Sequence, residues 1–402
     1  MVTAIAVCTV NAEAKPDGHG INTFGLELHQ RLAKDGGNIV ASPWSIQSAL
    51  AMTYAGAAGK TRDEMAATLH FGEDEKALHA NFAAIAGDLS NLVKTSKKNV
   101  AQTGRHGGPS TPLEITTANR LFGEKNFSFE KPFLALLKKS YDAPLEALDF
   151  GSAPEFSRKH INDWIAGQTK DRIKDLIPQG AIDPDTRLVL ANAIYMKAAW
   201  QSEFSKEADA AFFVNGTQAV KVAGLVKRRE YGYLKIPGGV SVTVPYADDG
   251  LQFLIMVPDE KEGLVAMEKT LTADLLQQAA SAPRQEIELH YPKFKLEPPS
   301  IALADHLAAM GMPTAFIQGT ADFSGMASEK LSISQVVHKG FVAVDEYGTE
   351  AAAATAVIVA IRSALIEPEQ PLEIRVDRPF AFAIQHTKSG ACLFLGRVTD
   401  PR

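Results

Sequence analysis

The spacing of apolar residues changes near the middle of the chain. Before Leu188, apolar positions recur at helical spacing, as do Phe24, Leu28 and Leu32 in a segment that ends at Gly36. After Leu188, the segments are rich in β-formers, and several alternate apolar and polar positions between Gly or Pro residues. Helices in the first half of the chain and strands in the second half, without strict alternation of the two, predict an α+β fold with mainly antiparallel sheets.

The predicted elements can be given as residue ranges. The predicted helices lie within 21–36, 42–57, 61–69, 75–93, 129–141 and 155–173. The predicted strands lie within 188–200, 240–246, 251–258, 287–297, 331–346 and 379–398. Ser42 and Pro43 form a typical helix start, because serine caps free backbone N–H groups and proline tolerates the first turn.

One segment, residues 346–375 (EYGTEAAAATAVIVAIRSALIEPEQPLEIR), fits no single conformation. The alanines favour helix, whereas the β-branched run from Ala356 does not. As a strand, the segment has one small and largely apolar face suited to close packing between other strands. A permanently exposed strand of this kind would aggregate. We therefore expect an element that changes conformation conditionally.

Composition limits the class of protein and its partners. The 402 residues are 46% apolar and 22% charged, and no linker or repeat divides them, so we expect one domain over 15–402. A net charge of −6 without a basic stripe argues against nucleic-acid or anionic-membrane partners. The locally basic segment 94–108 is either a solvated loop or a site that attracts a polyanion.

The N-terminus and the two cysteines bear on location. Residues 1–14 combine an apolar run with Ala12-Glu13-Ala14, which predicts a secretory signal cut before Lys15; the missing basic start indicates a truncated signal. We therefore expect secretion or export, to the extracellular space or a periplasm, with a cytoplasmic protein as the alternative. Cys8 and Cys392 cannot build a disulfide framework, and the apolar surroundings of Cys392 predict a buried structural thiol. No apolar run is long enough to span a membrane.

The sequence matches none of three common enzyme motifs in full. The sequence AAGKT at 57–61 has Tyr54 where a phosphate-binding loop needs glycine. Neither H-E-x-x-H nor G-x-S-x-G occurs, and the histidines are scattered. We expect no catalytic site, no metal and no cofactor.

Several separated motifs occur in the order of one known family. They are NIVASPWSIQSALAM, GAAGKTRDEMAATL, TANRLF, INDWIAGQTKDRI, LANAIYMKAAW, YPKFKLE, LAAMGMPTAF, ADFSGM, VVHKGFVAVDEYGTEAAAAT, DRPFAFAI and LFLGRV. Over about residues 21–401, the chain resembles the serpin family of serine protease inhibitors. The resemblance implies about nine helices, three sheets and an exposed reactive-centre loop over about 347–371.

The resemblance also implies a mechanism and not an enzyme. A target protease attacks the loop and forms an acyl-enzyme, and the cleaved loop then inserts into the main sheet as a new strand and distorts the protease. The native fold is then kinetically rather than thermodynamically stable. The alternative is a non-inhibitory serpin, a carrier or folding helper whose loop is only a substrate.

The family register places the scissile bond. A glutamate stands seventeenth before the bond, so Glu346 in that place puts the cut between Arg362 and Ser363. Arginine there suits trypsin-like serine proteases, which bind it with a buried carboxylate, although a cysteine protease is another candidate partner. Arg362 could instead only be a solubilising residue. A shifted register would use Ile361, and Leu365 would suit another protease class.

The same resemblance assigns three supporting groups of residues and predicts a monomer. The hinge comprises Glu346, Gly348, Thr349, Glu350, Ala351, Ala352, Ala353 and Ala354. The breach, where the loop enters the sheet, comprises Trp200, Lys293 and Glu346, with an ion pair between the last two. The shutter, beneath the sheet, comprises Ser42, Ser45, Asn192 and His338, buried polar residues that need hydrogen-bond partners.

Overall fold

A computed structural model describes residues 16–103, 111–214, 216–350 and 371–402. Their α-helices are α1 (His19–Leu32), α2 (Pro43–Tyr54), α3 (Gly59–Thr68), α4 (Glu75–Thr103), α5 (Lys131–Tyr141), α6 (Pro154–Gln168), α7 (Leu264–Glu268), α8 (Ala273–Ala280) and α9 (Ala304–Met310).

The strands of the first half and centre are β1 (Ile39–Ala41), β2 (Glu114–Glu124), β3 (Glu146–Leu148), β4 (Leu188–Ala199), β5 (Ser205–Val214), β6 (Gln218–Ile236), β7 (Gly239–Pro245) and β8 (Leu251–Pro258). The remaining strands are β9 (Arg284–Pro292), β10 (Phe294–Leu296), β11 (Ile301–Ala302), β12 (Gln335–Gly340), β13 (Val342–Val344), β14 (Gly348–Thr349), β15 (Leu372–Arg375), β16 (Phe380–His386) and β17 (Cys392–Val398).

Nine α-helices within the described ranges and mixed, mostly antiparallel sheets confirm the predicted α+β fold. The helical front half nevertheless contains β2, an 11-residue strand that the apolar spacing did not predict. It pairs antiparallel with β4 from Glu114 to Gly123, so its conformation depends on a partner some 70 residues away in the chain.

The strands of the described chain hydrogen-bond into two sheets. The eight-stranded sheet has the order β10-β13-β14-β4-β12-β11, with β2 and β3 added beside β4. The nine-stranded sheet has the order β1-β17-β16-β8-β7-β6-β9-β15, with β5 also paired to β6. Three sheets were expected, but the described strands form two. The 19-residue strand β6 joins what would otherwise be two separate sheets, because it pairs with β5 and β9 along its first part and with β7 at its end.

Helix α2 lies between the two sheets. It contacts β17 of one sheet and both β2 and β4 of the other. All twelve of its residues are buried, as expected of a helix without a polar face. Ser42 caps it, accepting a hydrogen bond from the Ser45 N–H at 3.1 Å. This buried helix start carries the polar residues of the predicted shutter.

Candidate functional site

The central strand β4 has different neighbours at its two ends. Residues Val189 to Ile194 pair in parallel with β12, whereas Ala198 and Ala199 pair antiparallel with β14. On its other side, β14 pairs with β13 through Val344 and Thr349. The start of the predicted loop therefore already lies between two strands at one end of the sheet.

The position of Gly348 requires glycine. A Cβ atom at this residue would lie 2.0 Å from the Ala198 carbonyl oxygen and 2.8 Å from the Ala199 Cα. Both contacts are with backbone, so no side-chain rearrangement could relieve them. Glycine therefore allows the hinge to enter the sheet beside β4.

Thr349 is buried at 1% exposure, and its hydroxyl lies 2.6 Å from the Tyr246 hydroxyl. Tyr246 is itself buried, and burial raises the pKa of its hydroxyl well above the ordinary value. The prediction of an exposed loop from residue 347 is therefore wrong for Gly348 and Thr349, because strand pairing and this hydrogen bond hold both inside the sheet.

Glu350, the last described residue before 371, turns the chain. Its φ of 49° is left-handed, and its N–H donates to the Ala343 carbonyl at 2.7 Å. The side chain is 12% exposed and lies 2.5 Å from Arg172 Nε. Both carboxylate oxygens lack a well-directed hydrogen bond within the described chain, so the contact with Arg172 is electrostatic. Burial raises the pKa of Glu350, against the attraction of Arg172.

The predicted breach ion pair is present and has a second lysine. Glu346 is buried at 4% exposure; Lys293 Nζ lies 3.0 Å from its Oε2 and Lys206 Nζ lies 2.9 Å from its Oε1. Burial alone would raise the pKa of this carboxyl, but the hydrogen bonds and the two ammonium groups overcome it and lower the pKa to about 2. Glu346 is thus an ionised carboxylate held by two lysines, close to strand β14.

Trp200, directly after the end of β4, contacts the residues on both sides of the breach. Its Nε1–H donates to the Asp345 carbonyl at 2.9 Å, and its ring stacks on Tyr246 at 4.7 Å between centroids. Its backbone N–H donates to the Tyr347 carbonyl at 2.8 Å. Trp200 therefore holds both the turn before the hinge and the tyrosine that contacts Thr349.

Asp345 shapes that turn. Its Oδ1 accepts hydrogen bonds from the N–H groups of Tyr347 at 2.9 Å and Gly348 at 3.1 Å. Burial raises the pKa of Asp345, and these two bonds partly offset the effect. Such an aspartate-centred turn positions Gly348 at the sheet.

The four predicted shutter residues are all fully buried and meet in one hydrogen-bond network. His338 Nε2 accepts from the Ser42 N–H at 3.1 Å, so Nδ1 carries the proton and donates to Asn192 Oδ1. The imidazole is therefore neutral, and burial lowers its pKa to about 3. Asn192 and His338 are also register partners in the parallel pairing of β4 with β12.

Asn119 on β2 completes the shutter and was not predicted from the sequence. The Asn192 side-chain amide donates to the Ser45 carbonyl at 2.9 Å, to Ser45 Oγ at 2.7 Å and to Asn119 Oδ1. Ser45 Oγ donates to the same Asn119 oxygen at 3.0 Å. Asn119 lies in the motif TANRLF, and its register opposite Asn192 could have indicated the contact only once β2 was known to pair with β4.

Sequence reasoning also missed Lys206, Tyr246 and Arg172. Lys206 and Tyr246 lie in none of the motifs, whereas Arg172 lies in INDWIAGQTKDRI, which gave no sign of its contact with Glu350. The remaining predicted residues, Ala351, Ala352, Ala353, Ala354, Arg362 and Ser363, lie outside the described residues. Beyond them the chain returns at β15, paired in parallel with β9.

Other predictions concern chemistry away from the hinge. Cys392 is fully buried, and burial raises the pKa of its thiol to about 12, consistent with an inert structural residue. Among the residues that the structure covers, no group of His, Cys, Asp and Glu side chains is arranged to hold a metal ion. In the same part of the chain, the helices are too short or too polar to cross a membrane.

Comparisons with known proteins agree with this architecture. The family model described as serpin (serine protease inhibitor) matches residues 19–401. The chain belongs to the serpin family. Serpins are protease inhibitors and not enzymes, as the sequence predicted, and serine proteases are their targets.

Individual relatives match over almost the whole chain. Leukocyte elastase inhibitor of Equus caballus is 38% identical over 94% of this chain and 97% of that protein. Serpin B6 of Pongo abelii is 40% identical over 94% and 98%, respectively. Among solved structures, uncleaved ovalbumin has a TM-score of 0.81 at 25% identity over 96% of this chain and 99% of that chain. Human thyroxine-binding globulin complexed with thyroxine has a TM-score of 0.79 at 26% identity over 95% and 97%.

The cellular location of these relatives differs from the one predicted for this chain. Leukocyte elastase inhibitor, serpin B6 and serpin B10 are intracellular serpins of clade B. The prediction of a secreted or exported protein is therefore wrong, and the likeness points to the cytoplasm. Residues 1–14 contain a short apolar run and Ala12-Glu13-Ala14, which resemble the end of a secretory signal, but they lack the basic start of one.

Proposed function

We propose that this serpin is a suicide inhibitor of trypsin-like serine proteases that is cleaved between Arg362 and Ser363. The protease serine attacks the Arg362 carbonyl, the Ser363 amine leaves, and an ester joins Arg362 to the protease. The freed segment then enters the eight-stranded sheet between β4 and β13 and distorts the protease before water hydrolyses the ester. The monomeric chain, with 15–402 as one domain, carries out every step.

The observation that carries this proposal is the position of the hinge. Gly348 and Thr349 already form a strand between β13 and β4, so further insertion extends an existing ladder instead of starting a new one. The described pairing of β4 on this side resumes with β12 at Ile194, and Tyr195, Met196 and Lys197 lie between the two pairings. This stretch of β4 is the path that the loop would follow.

The residues after the hinge favour fast insertion. Positions 351 to 354 are all alanine, which adds no charge or bulk to the inserting strand. Each new ladder bond contributes about 0.5 to 1.5 kcal/mol net. About a dozen such bonds would match the total stability of an ordinary domain, about 5 to 15 kcal/mol. Insertion that forms this many hydrogen bonds would strongly lower the free energy of the protein.

The supporting residues have distinct proposed roles. The breach residues Glu346, Lys293 and Trp200 fix the point of entry, because they hold the turn from which the hinge departs. The shutter residues Ser42, Ser45, Asn192 and His338 hold the opposite end of β4 closed on β12. The reactive bond itself is proposed from the register set by Glu346 and from Arg362 as the only arginine or lysine between residues 351 and 371.

Incubation with trypsin tests the proposal. We expect a complex that survives boiling in SDS and a released C-terminal fragment whose sequence begins at Ser363. The variant Arg362→Leu should lose the trypsin complex, while Arg228→Leu, a control on β6, should keep it. Clean cleavage after Arg362 with full trypsin activity retained would show that the loop is only a substrate, as in a carrier. Thyroxine-binding globulin, whose structure contains thyroxine, makes a carrier the alternative to test.

A second candidate target is an elastase or another chymotrypsin-like protease. The likeness to leukocyte elastase inhibitor supports it, at 38% identity. Cleavage would then fall at an apolar residue such as Ile361 or Leu365. Parallel incubation of the wild type and of Arg362→Asp with leukocyte elastase separates the candidates. Aspartate at 362 suits neither trypsin nor elastase, so an elastase complex that persists in this variant requires a bond other than the one between 362 and 363.

A further inference from the structure

Strand β15 is short and lies at the edge of the nine-stranded sheet. Within the described chain it pairs only with β9, in parallel, over four residues. Of its side chains, Ile374 packs against the core, whereas Glu373 and Arg375 are about half exposed. Four ladder residues and one partly buried apolar side chain are a small anchor for a strand. The charges on its other face can therefore decide how firmly β15 stays paired.

The register of β15 on β9 places two glutamates directly opposite each other, Glu373 and Glu288. Like charges in this arrangement weaken strand pairing. His290 lies two residues after Glu288, on the same face of β9. Its Nε2 is 3.2 Å from Glu288 Oε1 and 3.8 Å from Glu373 Oε1. A positive imidazolium at this point offsets the repulsion between the two strands, whereas a neutral imidazole does not.

Both ring nitrogens of His290 face carboxylates. Nδ1 is 2.9 Å from Glu207 Oε2 on β5, and Nε2 faces Glu288. An ionised carboxylate only accepts hydrogen bonds, and a neutral imidazole has a single N–H. The two contacts are therefore both hydrogen bonds only when the ring carries two protons. Because His290 is 9% exposed, a nitrogen that lost its proton would face a carboxylate with little water to separate them.

The charges around His290 come from three strands. Arg375 of β15 lies 3.6 Å from Glu207 and also contacts Glu373. From β6, the register partner of His290 is the uncharged Val226. The other charged groups nearby pair with one another: Asp209 with Lys221, Asp377 with Arg378, and Glu286 with Arg228. Three carboxylates and one guanidinium thus contact the imidazole or each other, and neutral His290 leaves this group with a larger excess of negative charge.

We infer that His290 is a pH-sensitive latch for β15. When protonated, it joins β5, β9 and β15 through their glutamates. As the pH rises and the ring becomes neutral, one hydrogen bond is lost, Glu288 repels Glu373, and β15 separates from β9 more often. Histidine is the side chain that changes charge between about pH 5 and 8, a range in which ordinary glutamates are ionised.

The latch acts on the side of the molecule that follows the proposed reactive bond. Strand β15 is the first described strand after Ser363, so the latch sets how firmly the sheet holds the chain beyond that bond. The separation of β15 from β9 is itself independent of protease cleavage.

Amide hydrogen exchange, measured by mass spectrometry, tests the latch because it detects the opening of one edge strand separately from unfolding of the whole domain. Exchange is followed at about pH 6 and about pH 8 and corrected for the intrinsic effect of pH on amide exchange. We expect residues 372–376 to be at least about fivefold better protected at the lower pH. Residues 381–386 of β16, inside the same sheet, are the reference and should keep their protection.

His290→Gln removes the titrating charge and should leave residues 372–376 poorly protected at both pH values. The matched control is His19→Gln on α1. His19 also lies beside a carboxylate, Asp274 at 3.2 Å, but has no contact with β15, so this variant should keep the wild-type difference.

Glu373→Gln covers the case in which His290→Gln folds poorly, because Glu373 is half exposed on an edge strand. It removes the like charge from β15, so protection at the higher pH should approach that at the lower pH. The proposal is overturned if the wild type is equally protected at both pH values, or if either variant keeps the full difference. It is also overturned if residues 381–386 lose protection by the same factor, which would indicate global unfolding. None of these results depends on protease inhibition, which the incubation with trypsin tests separately.

Discussion

The two ends of β4 are held by different physical means. At the breach, the charged Glu346 is clamped by two lysines whose side chains are 45% and 72% exposed. At the shutter, fully buried and neutral groups share a continuous hydrogen-bond network through Asn192. The lysine ends of the breach pairs are open to solvent and to screening by salt, whereas the shutter groups are fully buried and their hydrogen bonds are costly to break. If the loop inserts as proposed, the sheet should therefore open more easily at the breach than at the shutter.

The largest expected effect is at the hinge. Thr349→Arg places a charge where the native side chain is 1% exposed and bonded to Tyr246, and an unpaired buried charge costs several kcal/mol. We expect the hinge to leave the sheet and the rate of protease inhibition to fall at least about 100-fold, measured by complex formation with trypsin. The thermal unfolding temperature should change little.

Thr349→Val is the matched control for this prediction, because it keeps the shape and loses only the hydroxyl. It should remain an inhibitor. Unchanged inhibition by Thr349→Arg would contradict insertion at this position.

The next effect is at the shutter. Asn192→Leu keeps the approximate volume but removes the Asn192 hydrogen bonds to Ser45 and leaves the His338 Nδ1–H without its partner. We expect a loss of about 2 to 4 kcal/mol in the free energy of unfolding, measured as a lower midpoint in urea. The exposed residue Asn91 on α4 provides the control, since Asn91→Leu should shift the midpoint by less than about 0.5 kcal/mol. Equal shifts would mean that the network contributes no stability.

The two ends should also differ in their response to acid. The folded pKa of His338, about 3, lies below its ordinary value of 6.5, so the unfolded chain binds the proton first and stability falls as the pH drops from 6.5 toward 3. Between pH 6.5 and 5 this one group should remove about 2 kcal/mol.

Unfolding measured at several pH values should show a shallower slope for His338→Gln than for the wild type over that range. Burial also lowers the pKa of His79 and His386, but both remain in the variant and cancel in the comparison. An unchanged slope would contradict the neutral buried imidazole.

The smallest effect is at the breach clamp. The pKa of Glu346, about 2, lies below its ordinary value of 4.5, so its contribution is complete above pH 4.5 and is lost as the pH falls toward 2. Because both lysines are substantially exposed, we expect Glu346→Gln to cost only about 1 kcal/mol at pH 7, and less in 1 M salt.

Glu286→Gln, which breaks the exposed pair with Arg228 on β6, is the matched control for stability. Both variants should have similar small effects on unfolding, and only Glu346→Gln should alter the rate of inhibition. A loss above about 3 kcal/mol for Glu346→Gln would make the breach the stronger end and reverse the comparison.

Several parts of the site followed from the sequence because each depends on local chemistry or ordered motifs. The α2 start at Ser42 and Pro43 is a local capping signal, and the order of the motifs indicated Glu346 and Gly348, whereas the predicted hinge residues Ala351 to Ala354 lie outside the described residues. Asn119, Tyr246 and Lys206 could not be found this way. Each contacts its partner across 73 to 140 residues of chain: Asn119 to Asn192, Tyr246 to Thr349, and Lys206 to Glu346.

By itself, the sequence determined the α+β class, the serpin membership and a segment with no single conformational preference. Only the tertiary structure decided which conformation the start of that segment takes. Gly348 and Thr349 are buried because β13 and β4 supply backbone partners on both sides and Tyr246 supplies a hydroxyl. Strand formation depends on partners that are distant in the chain, so a pattern of small residues can permit insertion but cannot show where it begins.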